Sequence, residues 1–225
     1  MLNKVKQVAI AMFAVAALAA PASAATVIDF ATGFGTGSGG SVYMIGEDYI
    51  GENIPMGRLL VEGATNSGEY LVRGTATGTS ATFGTRAIFG DLDFDTRTGD
   101  ISISGCVPML GVGADPGDAT CDTVELLLSG TMTGFTDPFG ENRFVALAAV
   151  DFKNAELLAA LGIDPNTPFS LQGSVLTGDP FGQGLQNAQA SVSSDVANTA
   201  VPEPATMILL GTGLLAAFRA RRQHA

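Results

Sequence analysis

Between Thr26 and Ser194 the chain alternates short runs of Val, Ile, Thr, Phe and Leu with clusters of Gly, Asp, Asn and Pro. Successive side chains on a strand point to opposite faces, so such runs, bounded by turn formers, predict half-buried β-strands. The pattern places strands near residues 26–30, 41–45, 57–62, 69–77, 80–89, 91–94, 100–105, 123–136, 143–152, 169–176 and 188–194. In the longest, Val124, Leu126, Leu128, Gly130 and Met132 point one way and Glu125, Ser129, Thr131 and Thr133 the other, with Leu127 out of step. The run 143–152 is apolar on both faces, which predicts a central strand covered on each side. A short helix is the candidate cover: Asn154 caps it, Leu157, Leu158 and Leu161 form its apolar stripe, and Gly162 ends it with positive φ. Many strands, tight turns and one short helix predict an all-β domain, either an antiparallel β-sandwich or an up-and-down barrel.

The glycine-rich stretch from Ala31 to Ser41 fits G-x-G-x-x-G through Gly35, Gly37 and Gly40. A dinucleotide site needs a helix after that turn to present its N-terminus to the pyrophosphate. Residues 41–46 read as a strand instead, so the stretch is expected to be a flexible loop.

The two ends follow other rules. Lys4 and Lys6, an apolar run from Val8 to Ala20, and Ala22-Ser23-Ala24 have the order of a secretory signal peptide over residues 1–24 with cleavage after Ala24. At the other end Pro202, Glu203 and Pro204 precede an unbroken apolar run from Ala205 to Phe218, closed by Arg219, Arg221 and Arg222. Prolines fix φ and remove N–H donors, so this strip is extended and readable by a processing enzyme. The arginines favour the cytoplasmic side of a membrane. The apolar run rises about 21 Å as a helix, short of a hydrocarbon core of ~30 Å, which suits a transient stop better than a permanent anchor. Residues 201–225 resemble the PEP-CTERM sorting signal of Gram-negative bacteria. The resemblance implies recognition and removal by an exosortase in organisms that make exopolysaccharide. The expected organisation is therefore a signal peptide (1–24), an all-β domain (25–190), a flexible linker (191–200) and the sorting signal (201–225). Its expected partners are the secretion translocon and signal peptidase, the exosortase, the inner membrane for a time, and exopolysaccharide.

Without the two signals, six basic residues face twenty-one acidic ones, a net charge of −15. That balance disfavours nucleic acid and anionic lipid. Cys106 and Cys121, an even pair in an exported chain, are expected to form a disulfide that closes a Gly- and Pro-rich loop, worth roughly 3 kcal/mol in chain entropy. Asp91, Asp93 and Asp95 are the best calcium candidates, since alternate carboxylates can surround a hard cation. An EF-hand loop wants Gly and Glu where Thr96 and Ser102 stand, however, and the favoured reading is a hairpin with Leu92 and Phe94 inward, the aspartates outward and Gly99 in the left-handed region.

The sole histidine, His224, belongs to the tail, so the domain has no imidazole for a Ser-His-Asp triad or a histidine zinc site. The chain also has no tryptophan, and Tyr43, Tyr49 and Tyr70 are its candidates for stacking on sugars. No catalytic residue and no cofactor are expected. The expectation is an exported surface or extracellular-matrix protein of a biofilm, not an enzyme. The alternatives are a calcium-dependent glycan-binding module and a polysaccharide hydrolase built on a carboxylate pair.

Overall fold

The computed structural model describes residues 25–32, 36–74, 76–80, 84–115, 120–136, 144–177, 182–183 and 189–201. They belong to one compact unit, Ala25–Val201. Its strands are β1 (Val27–Ala31), β2 (Thr36–Ile45), β3 (Asp48–Met56), β4 (Arg58–Glu62), β5 (Gly68–Leu71), β6 (Ala76–Ser80), β7 (Gly84–Asp95), β8 (Asp100–Gly105), β9 (Glu125–Thr136), β10 (Phe144–Lys153), β11 (Phe169–Thr177), β12 (Gly182–Gln183) and β13 (Gln189–Ala200). Helix α1 is Ala155–Leu161, and Pro108–Leu110 makes one 3-10 turn.

The sheet closes on itself. Neighbouring strands run β2-β3-β7-β8-β9-β10-β11-β13, and β13 pairs back onto β2 through Gln189 with Val42 and Ser191 with Gly39. This curled antiparallel ring takes the barrel alternative, with a branch in which β1 leaves β13 and carries β4 and β5. Closure removes the exposed edges that an open sheet of strands would present. The pairing between β12 and β2 is parallel.

Inside the ring, Ile28, Phe30, Leu59, Val61, Leu92, Phe94, Ile101, Ile103, Leu128, Leu147, Leu171 and Val196 form one core. Helix α1 adds Leu157, Leu158 and Leu161 to it. Its start and end are as expected: Asn154 accepts from the N–H groups of Glu156 (2.8 Å) and Leu157 (3.1 Å), and Gly162 stands at φ 72°.

Four expectations need correction. First, β10 is not covered on both sides. Leu147 and Ala149 are buried, but Val150 and Phe152 on the other face are exposed, and the buried face also holds Asp151 and Lys153. Second, Leu127 is buried while Val124 and Leu126 are exposed, because a bulge in the β8–β9 register, from Ile103 opposite Leu128 to Ser104 opposite Leu126, reverses the faces there. Third, residues 36–41 of the supposed glycine loop belong to β2. Fourth, residues 191–200, read as a flexible linker, lie in β13, bonded to β11 on one side and to β1 and β2 on the other. Strand β3, whose pattern is interrupted by Gly51, Asn53 and Pro55, falls between the expected strands.

One pole of the ring collects the ends of β4, β8, β10 and β13 and the starts of β1, β9 and β11. Here the Ala200 N–H donates to the Thr26 carbonyl at 3.0 Å, and the Val201 N–H to that of Pro168 at 2.9 Å. Both ends of the domain therefore leave side by side. The opposite pole carries the β2–β3 turn and the β7–β8 hairpin.

Candidate functional site

At that second pole the outward side chains of β2, β3, β7 and β8 surround a cleft of about 390 Å³. Its origin is an irregularity in β3: Gly51 pairs with Phe94 and Ile54 with Leu92, so Glu52 and Asn53 are crowded opposite Asp93. Asn53 takes a positive φ of 55°, a conformation Asn tolerates better than most residues. Its N–H donates to Asp93 Oδ1 at 2.8 Å. Beside it the Tyr43 hydroxyl donates to Glu52 Oε1 at 3.0 Å, and burial together with Glu52 raises the Tyr43 pKa. Gly51 is needed because a Cβ there would lie 2.2 Å from Cε1 of Phe94.

The hairpin below folds as its sequence requires. Asp95 accepts the fork of Arg97, with Nη2 to Oδ2 at 2.6 Å and Nε to Oδ1 at 3.1 Å, and these bonds hold the Asp95 carboxyl below its usual range. Gly99 turns the chain at φ 81°. Thr96 ties the hairpin to the next turn, accepting from the Tyr49 N–H at 2.8 Å and donating to Asp48 at 3.3 Å.

The three aspartates named as calcium candidates are engaged separately. Asp91 is buried rather than outward into water, with its pKa pushed up to about 6 by burial and then by Asp93. Asp93 serves the Asn53 amide and Asp95 serves Arg97. Alternate residues on one strand face stand about 7 Å apart, and among the described residues no three acidic, histidine or cysteine side chains gather as a metal cage. Of the tyrosines, Tyr43 and Tyr49 are buried, and the half-buried Tyr70 donates its hydroxyl to the Asn66 carbonyl at 2.8 Å.

Two further groupings join residues far apart in the chain. On the outer face of β1, Asp29 stands diagonally across from Asp195 of β13. Its pKa is raised to about 7, first by burial, then by the neighbouring Asp195 carboxyl, with Arg58 pulling it back and Glu62 adding to the rise. Its Oδ1 has no hydrogen-bond partner among the described residues. Inside the ring, Lys153 and Asp151 form a fully buried ion pair. Lys153 also sits 4.3 Å from the ring centre of Phe169, and burial lowers its pKa to about 8 against the pull of Asp151. Alternation signals that Asp29 faces away from Ile28 and Phe30, but only strand register brings Asp195 beside it.

Cys106 and Cys121 are bridged, with sulfurs 2.01 Å apart. The bridge staples the loop that follows β8, and the described residues contain no free cysteine. The cleavage residues Ala22 and Ala24, the sorting residues Pro202, Glu203 and Pro204, and Phe218, Arg219, Arg221 and Arg222 lie outside the described residues. Among the described residues no helix is long and apolar enough to cross a membrane.

Comparison with curated proteins yields no match, and comparison with solved structures yields none. The end of the chain is different. Where β13 finishes, residues 200–223 match the PEP-CTERM protein-sorting motif, so the chain carries at its C-terminus the export signal on which exosortases act.

Proposed function

We propose that the chain is an exported surface or extracellular-matrix protein of a biofilm, held at the inner membrane by its tail until an exosortase cuts near Pro202 to Pro204, and that it works without catalysis. One observation carries the reading. The sorting motif begins where β13 ends, and β13 is hydrogen-bonded on both sides. A cut beyond Val201 thus leaves every ring strand in place and frees a finished, disulfide-stapled, acidic domain. Intact mass spectrometry of the surface-released protein tests this. The expected species starts at Ala25 and ends near Pro204, and a released species still carrying Phe218 and the arginines refutes it.

Two observations support other chemistry for the domain. The cleft offers Glu52, Asp93, Asp95, Asp100 and one guanidinium, a set suited to sugar hydroxyls. The Asp29–Asp195 pair sets a carboxyl that keeps its proton near neutrality beside a second acidic side chain, the residue types on which a carboxylate-dependent glycosidase relies. Incubation of the domain with the host's exopolysaccharide separates the readings. Retention without released sugar points to the cleft. Released sugar that disappears in Asp29→Asn replaces the matrix reading with the hydrolase.

A further inference from the structure

The pole from which both ends leave is also where exposed apolar side chains collect. Met109 comes from the disulfide-stapled loop, Val124 and Leu126 from the entry into β9, Val150 and Phe152 from the end of β10, and Val201 from just beyond β13. They are six of the ten large apolar side chains that stand exposed among the described residues, with Phe152 76% and Met109 68% accessible. Ile45, at 40%, belongs to the opposite pole. Strand pairing sets the spacing: Asp151 of β10 is opposite Phe169 of β11, which is opposite Ala200 of β13. At about 4.8 Å per strand, Phe152 is roughly 10 Å from the exit of the chain.

Phe152 is presented by a strand end whose neighbour Lys153 is locked in the core, so it does not turn inward. An apolar patch of this kind on an exported protein marks an interaction surface. The chain itself indicates the partner. Between Val201 and the apolar run beginning at Ala205 stand Pro202, Glu203 and Pro204. Four residue steps reach about 14 Å at full extension. While the apolar run is in a bilayer, this pole is held within that distance of it.

We infer that the terminal pole is a membrane-contacting surface, with Phe152 and its apolar neighbours entering the headgroup region of a zwitterionic bilayer for as long as the tail remains attached. The inference rests on the anchoring reading above. Aromatic and aliphatic side chains gain on leaving water for the interface. The exposed carboxylates of Glu62, Glu156 and Asp164 around the same pole are repelled by anionic lipid. A few apolar side chains opposed by such charge bind only when the tail raises their local concentration. Cutting the tail therefore releases the pole as well, which makes one peptide-bond cleavage sufficient for departure.

The absence of tryptophan from the chain makes the test direct. The chain with its tail intact is reconstituted in phosphatidylcholine vesicles bearing brominated acyl chains. Phe152→Trp and Leu126→Trp each supply a single reporter, and Ile45→Trp at the other pole is the reference. Flotation with the vesicles comes first, and failure to float refutes the anchoring reading and this inference with it. With flotation established, bromine is expected to quench emission from positions 152 and 126 several-fold more than from position 45, with a blue shift. Equal quenching at all three positions overturns the inference and leaves the anchoring reading intact. A blue-shifted but unquenched reporter at 152, in a chain that associates as a dimer, overturns it in favour of a second copy as the occupant. Two reporters on different strands let one decide if the other disturbs folding.

Discussion

Replacing Asp29 by Asn removes a charge that the fold accommodates poorly. Burial and Asp195 raise the Asp29 pKa from the ordinary 3.8 to about 7. A carboxyl whose pKa is higher folded than unfolded binds its proton more tightly in the folded state. Its contribution to stability is therefore complete below pH 3.8 and is lost as pH rises to about 7. Taken whole, a rise of that size corresponds to roughly 4 kcal/mol at ~1.36 kcal/mol per pH unit. Asp29 is only half-buried, and water screens much of this, so about 1 to 2 kcal/mol is the expected amplitude. The groups that face it are Asp195 on β13 and Arg58 and Glu62 on β4. Asn is close to isosteric and can donate to Asp195 without a charge.

The assay is urea unfolding of the processed domain at pH values from 3 to 8, wild type against Asp29→Asn. Asp91, raised to about 6 by burial, gives both proteins a slope of the same sign between pH 3.8 and 6, and it cancels in the difference. The two should be equally stable near pH 3, with the variant ahead by about 1 to 2 kcal/mol at pH 8. A difference that stays flat between pH 4 and 7, or a variant weaker than wild type at pH 8, refutes the reasoning.

Lys153→Met leaves Asp151 as an uncompensated buried charge and is expected to cost about 3–5 kcal/mol in chemical unfolding, whereas Asp151→Leu combined with Lys153→Met should recover most of it; a double variant as weak as the single one contradicts the pairing. Opening the Cys106–Cys121 bridge as Cys106→Ser with Cys121→Ser should cost about 2–4 kcal/mol, and thiol titration of unfolded, unreduced wild type should find no reactive sulfur. Asn154→Ala removes the two hydrogen bonds that its Oδ1 accepts from the Glu156 and Leu157 N–H groups at the start of α1 and is expected to lower stability by about 1 kcal/mol, read as a shift in denaturation midpoint at unchanged slope. Gly51→Ala forces a methyl against the Phe94 ring and is expected to cost about 1–3 kcal/mol, with the Tyr43 and Asp95 resonances displaced in NMR spectra.

Much of the local structure was legible because its causes are local. Asn154 and Gly162 bound α1 by capping and by positive φ, and Asp95 to Gly99 turns a hairpin through contacts spanning four residues. Strand β8 follows from alternation alone. Strand β3 escaped notice because Gly51, Asn53 and Pro55 interrupt its pattern, and it owes its extended form to β2 and β7 on either side. The same holds for residues 191–200. Their Ala, Asn, Ser and Thr side chains resemble a linker in composition, and only bonds from three other strands make them the strand that closes the ring. In β9 the face change at Leu127 was visible as a break in the pattern, but whether Leu126 or Leu127 enters the core depends on where the bulge falls against β8.

The amino-acid sequence by itself determined the C-terminal sorting motif, the strand-rich composition, the cap and stop of the helix and the pairing of two cysteines. Each rests on covalent order or on interactions within a few residues. Tertiary structure alone decided that the sheet closes, that Asp29 meets Asp195 across 166 positions, that an ion pair lies inside β10, and that the export signal leaves the domain beside its own N-terminus. Those outcomes depend on strand register, which is settled by burying one face of every strand in a common core at once and is therefore a property of the assembled sheet.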